Sequence, residues 1–113
     1  MHELSLSESI VELVAARARR EGMRRITVVT VEVGAGAAVD SGALTFCFPI
    51  VAEGTAAEGA ALKIVHVPLQ AVCNGCGQSW QPVDIASVCP ACHSADRRIT
   101  NGRQMRVVDF SGA

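Results

Sequence analysis

The sequence predicts an α+β fold: a small mixed three-stranded sheet with two helices, plus an inserted four-Cys zinc-ribbon module. Three observations carry this. Helical and strand-like apolar patterns alternate through the first 68 residues. Two C-x-x-C pairs, Cys73–Cys76 and Cys89–Cys92, stand twelve residues apart. A last strand-like stretch follows the Asn101-Gly102 turn signal and returns the chain to the first sheet. The expected domains are 1–68 with 99–113, a discontinuous α/β domain, and 69–98, the ribbon.

The first helix is expected from Leu4 to Glu21. Ser5 and Glu8 have capping-box spacing, with a start one turn earlier as the alternative. Leu6, Ile10, Leu13, Val14 and Ala18 form its apolar face, and Gly22 stops it. Arg17, Arg19, Arg20, Arg24 and Arg25 crowd its end. They read either as a solvated face favoured by the helix dipole or as a docking patch for an acidic protein surface. Ile26 to Val33 is β-branched and reads as a strand. Gly34-Ala35-Gly36 is a turn, because the third glycine and the G-K-[ST] of a nucleotide loop are missing. Asp40 or Ser41 caps a second helix running to about Glu53, with Leu44, Cys47, Phe48 and Val51 on one face and Pro49 loosening it. Cys47 reads as a buried, inert thiol. Ala61 to Val67 is the second strand, and its His66 reads as a solvated or hydrogen-bonded residue.

The paired cysteines carry the most specific chemistry. Gly75 and Pro90 suit the tight turns that place two thiolates together. Four soft thiolates at this spacing are a structural zinc site, against the alternatives of two disulfides or a dithiol redox pair. The ribbon has little apolar content beyond Trp80, Val83, Ile85 and Val88, so zinc would supply its folding energy. Four protein ligands close such a site, so it holds structure and does no hydrolysis. His93, directly after Cys92, reads as either a group tuning that thiolate or a surface imidazole.

Composition excludes several classes. Half of the 113 residues are apolar but only 4% are aromatic, so Val, Ala, Leu and Ile must build the core. No apolar run approaches a membrane span, and no signal-peptide pattern opens the chain. Reduced C-x-x-C pairs fit a cytoplasmic location. A net charge of −1 and a ribbon offering only Trp80 and Arg97-Arg98 argue against a nucleic-acid module. No paired acids, Ser-His-Asp spacing or open metal position suggest an enzyme.

Met1-His2-Glu3 opens the chain. An α-amine, an imidazole and deprotonated backbone amides can surround one ion in a plane, which favours Ni(II) or Cu(II) over zinc. Met1 before bulky His2 should escape removal. From these residues alone, an exposed terminal His2 of no consequence is the favoured reading, since termini are usually poorly ordered.

Together with Leu44-Thr45-Phe46-Cys47-Phe48, Ala57-Glu58-Gly59-Ala60, the four cysteines and Cys92-His93-Ser94 leading to Ile99-Thr100-Asn101-Gly102, that opening resembles the HypA/HybF family. These are the nickel-insertion accessory proteins of [NiFe]-hydrogenase maturation. The resemblance covers nearly the whole chain. It implies that transient Ni(II) binds through His2, the Met1 amine and backbone nitrogens, with Glu3 alongside. It implies structural Zn(II) on Cys73, Cys76, Cys89 and Cys92. It further implies work with a HypB-type GTPase, delivery to the hydrogenase large subunit and, in some relatives, contact with urease accessory proteins. The rival is a zinc-ribbon adaptor or nucleic-acid-binding module with no nickel function. Some relatives place a His near each cysteine pair; here Gly77 and Gln78 follow the first.

Overall fold

The computed structural model describes residues 2–113. Its elements run α1 (His2–Arg20), β1 (Ile26–Gly34), α2 (Ser41–Ala52), β2 (Ala61–Val67), β3 (Gln70–Cys73), β4 (Ser79–Trp80), β5 (Arg97–Asn101) and β6 (Met105–Gly112). They form two three-stranded sheets, ordered β2-β1-β6 and β4-β3-β5.

The chain divides into two compact units. The first comprises residues through Val31, Val39–Val65 and Arg106–Ala113; the second comprises Glu32–Ala38 and His66–Met105. The second therefore takes in β5 and the turn after β1 as well as the cysteine ribbon.

In the first unit α1 packs on α2. Helix α1 begins at His2, not at Leu4, and the Ser5–Glu8 capping box is not made. Instead the Ser7 and Ser9 hydroxyls donate back to the carbonyls of Glu3 and Ser5, at 2.8 and 3.1 Å, already within the helix. The buried face is Ser7, Ile10, Val11, Val14 and Ala18. Leu13, expected inside, is 45% exposed, because the inward stripe is centred on Val14 and passes through Val11 instead. The stop is a Schellman turn: Gly22 at φ +74° lets Met23 N–H reach the Ala18 carbonyl at 2.8 Å, and Gly22 N–H reach that of Arg19 at 3.2 Å.

Asp40 caps α2, its Oδ1 accepting from Ala43 N–H at 3.0 Å. Leu44, Cys47, Phe48 and Ala52 face inward. Pro49 lies inside the helix and exposed, so its missing N–H falls on the outer side. Strand β1 contributes Ile26, Val29 and Val31 to the core. Its end contacts place it antiparallel to β6, through Ala113 N–H to the Arg25 carbonyl (2.9 Å) and Gly34 N–H to that of Gln104 (2.7 Å). It runs parallel to β2, through Ile26 N–H to the Ala56 carbonyl and Ala35 N–H to that of Val67, both 2.8 Å. The β1-α2-β2 segment is thus a crossover unit of the kind parallel strands require.

In the second unit β3 is central. It pairs antiparallel with β4 (Ala71↔Trp80) and with β5 (Ala71↔Ile99, Cys73↔Arg97). Leu69, Ala71, Cys73 and Cys89 are buried there, whereas Val83 is 92% exposed. Among the described residues, no helix is long and apolar enough to cross a membrane.

Candidate metal centre

Two knuckles of matching construction carry the four cysteines. In the first, Gly77 N–H donates to the Cys73 carbonyl at 3.0 Å, and Cys73 N–H donates to that of Gln78 at 2.9 Å. In the second, His93 N–H donates to the Cys89 carbonyl at 2.8 Å, and Cys89 N–H donates to that of Ser94 at 3.0 Å. Each knuckle turns through a left-handed residue, Gly77 at φ +79° and His93 at φ +63°. Glycine suits that region at no steric cost; a histidine there is unusual and held by its knuckle bonds. The His93 side chain is exposed, and among the described residues its ring makes no hydrogen bond.

The knuckles face each other so that all four Sγ atoms lie within 4.8 Å of one another. Cys73 and Cys92 are 3.6 Å apart, as are Cys76 and Cys89. Thiolates tetrahedrally around an ion at about 2.3 Å stand about 3.8 Å apart. The cluster therefore fits a four-thiolate metal site as it stands. None of the five cysteines is in a disulfide, and Cys47 lies buried in α2 outside the cluster.

The backbone polarises the cluster. Gly75 and Cys76 N–H groups point at the Cys73 sulfur, at 3.3 and 3.4 Å, and Cys92 N–H points at that of Cys89, at 3.5 Å. The Cys76 N–H above all, with Gly75 and against burial, brings the Cys73 thiol down to about 7. The Cys92 N–H likewise lowers Cys89. For Cys92 the Ser94 N–H favours the thiolate, but the Cys73 thiol, burial and the other two thiols outweigh it and push it up to about 12. At Cys76 the Gln78 N–H is similarly outweighed by Cys89, burial and Cys73, and the thiol is raised. Cys73 and Cys89 are therefore the readier thiolates of the four, and Cys76 and Cys92 hold their protons more tightly.

A metal binds the thiolates, so its uptake expels the protons of Cys76 and Cys92, and lowering the pH weakens binding. Calorimetric titration of Zn(II) into metal-free protein, in buffers of different ionisation enthalpy, reads this release directly. The heat should change with buffer, and affinity should fall as pH falls. A heat independent of buffer contradicts the assignment.

At the other end of the chain, Met1 lies outside the described residues. His2 opens α1 with its side chain 62% exposed, its Nδ1 3.4 Å from Glu3 Oε2. The same Glu3 oxygen accepts from Asp40 N–H at 3.1 Å, joining the start of α1 to the cap of α2. That N–H, then Glu3's own, outweigh burial and hold the Glu3 carboxyl below its usual range, with His2 a smaller contributor. The sequence marks Asp40 only as a helix cap; nothing in the spacing of residues 37 apart signals its contact with Glu3. His66 is exposed on β2 and joins no cluster of metal-ligating groups among the described residues.

Comparison with known proteins agrees over the full length. The family profile described as "Hydrogenase/urease nickel incorporation, metallochaperone, hypA" matches residues 1–111. The hydrogenase maturation factor HypA of Dechloromonas aromatica (strain RCB) is 39% identical over 110 residues, covering 97% of each chain. The hydrogenase maturation factor HybF of Klebsiella pneumoniae is 41% identical over 112 residues, covering 99% of each. Among solved structures, the solution structure of the Ni metallochaperone HypA from Helicobacter pylori superposes with a TM-score of 0.69 at 27% identity, over 97% of this chain and 96% of that one. A second solution structure of a HypA protein gives a TM-score of 0.74 at 28% identity, over 100% and 97%.

Proposed function

The chain belongs to the HypA family of hydrogenase/urease nickel incorporation metallochaperones, and from that premise we propose that it binds Ni(II) at its N-terminus and helps insert it into the [NiFe]-hydrogenase large subunit. The family is one of maturation factors, not of catalysts. In this reading Cys73, Cys76, Cys89 and Cys92 hold Zn(II) as a structural ion, and the work is done in the cytoplasm with a HypB-type GTPase. Service to urease accessory proteins is a further role within the same chemistry.

The observation that carries the nickel reading is the exposed His2 imidazole at the open end of α1. The first N–H groups of a helix have no acceptor within it. The amides of His2 and Glu3 are therefore not committed to the helix ladder, and they can ligate once deprotonated. With the Met1 amine and the imidazole they complete a planar nitrogen set suited to Ni(II). Glu3, pinned to Asp40 N–H, keeps the carboxylate beside this set while the first turn opens. An exposed terminus also permits release by stepwise ligand exchange, which a buried cage would not. His93 remains a candidate for tuning the Cys92 thiolate, from its place in the chain.

Nickel binding should weaken as pH falls, since amine and imidazole must lose protons. His2→Ala is expected to lower Ni(II) affinity by more than about a hundredfold while leaving the helical circular-dichroism signal and zinc content unchanged. Calorimetry on protein with its native amine checks this. Unchanged affinity in the variant would sink the assignment of His2.

A further inference from the structure

The arginines around the end of α1 form a charged surface that the nickel and zinc readings do not use. Residues 17–25 hold five arginines and one glutamate, while the remaining five basic residues share the chain with ten acids. A protein close to neutral overall thus has one strongly basic region on an otherwise acidic body. All five arginines are exposed, and among the described residues none of their side chains makes a hydrogen bond or an ion pair.

Helix electrostatics account for part of this cluster only. Arg17, Arg19 and Arg20 lie in the last turn of α1, where cations offset the carbonyl end of the dipole. Arg24 and Arg25 lie beyond the Schellman stop, leading into β1, and gain nothing from the dipole. The cations are all arginine, the side chain whose planar fork pairs two-point with carboxylates. Beside them is a hollow lined by Ala15, Arg19, Met23 and the Gly54–Ala56 loop. Arg19 is the only charged residue on its wall.

We propose that this surface docks an acidic protein segment, its carboxylates on Arg19, Arg20, Arg24 and Arg25 and a neighbouring apolar side chain in the hollow. An extended polyanion such as a nucleic acid would run from the patch onto a surface with twice as many acids as bases, and be repelled. A short acidic segment meets only the arginines. The nickel assignment is independent of this surface.

Fluorescence anisotropy with a short labelled peptide of Glu and Leu, titrated with the full chain at low and at physiological salt, tests the surface. Binding should be salt-sensitive and weakened at least about tenfold by Arg19→Glu with Arg24→Glu. Ala15→Trp, which fills the hollow and keeps every arginine, should weaken it several-fold. Lys63→Glu with Arg103→Glu, an equal charge change elsewhere, should leave it intact. Circular dichroism establishes that each variant is folded, and nickel affinity on the same samples should not move. Failure of the peptide to bind, equal loss with both charge-reversed pairs, or indifference to Ala15→Trp would overturn the proposal. So would tighter binding of a single-stranded oligonucleotide of equal charge.

Discussion

Cys73→Ser is expected to unfold the ribbon and abolish its metal, leaving α1 and α2 in place. The second unit has little else to hold it. Its strand β4 is two residues long, and Val83, Ile85 and Val88 in the segment before the second knuckle are exposed. A structural zinc contributes on the order of 10–16 kcal/mol to a module of this kind, far more than such a core supplies. Cys73 is also the most embedded ligand by bonding, buried on β3 and accepting from two N–H groups. Cys92 is exposed at the rim and has the Ser94 N–H alone directed at its sulfur, so Cys92→Ser should be the milder change. Amide exchange should show protection of β3–β5 lost and that of the helices kept, with zinc content far below one per chain. A strong chelator added to the wild type should give the same pattern. Wild-type zinc content and an unchanged thermal melt in Cys73→Ser would rule the structural role out.

Gly34→Ala should be strongly destabilising although it lies away from the metal. A Cβ at Gly34 would stand 2.1 Å from the Gly102 carbonyl oxygen and 2.3 Å from its carbon. Both are backbone atoms, so no side chain can swing aside. Gly102 cannot retreat, because it sits at φ +100° with Pro68 and Leu69 backbone against its own Cβ position, at 2.5 and 2.7 Å. Two glycines therefore meet back to back where β1 ends and the β5–β6 turn crosses it. We expect a loss above about 3 kcal/mol in urea unfolding. Gly54→Ala makes the contrast. Gly54 is left-handed at φ +80° but nothing lies within 4 Å, so only the backbone penalty of about 1 kcal/mol applies. Equal midpoints for the two variants would contradict the close approach.

Much of this was legible because local chemistry agreed with the final packing. The Asp40 cap, the limits of β2, the Gly22 stop and the four-thiol cluster each follow from residue type and spacing. The inward face of α1 was less legible. Leu13 and Val11 both fit a helical period, and only the packing of α1 on α2 decides which turns inward. The ribbon's own sheet was hidden for another reason: β4 and β3 are two and four residues long, too short for a period-two signal. The equivalence of Gly77 and His93 could be found by laying Cys73–Gln78 over Cys89–Ser94, but the left-handed backbone of a histidine could not. Glu3 and Asp40 meet only because α1 packs on α2, and sequence spacing carries no trace of that.

The most direct test of the nickel reading is Ni(II) titration of protein with its own Met1 amine, beside the same chain carrying an N-terminal extension. Tight binding of one ion by the first, lost in the second, is the expected result, since the extension removes the amine and buries His2 in mid-chain. Equal binding by both would contradict the terminal site and move nickel to another ligand set.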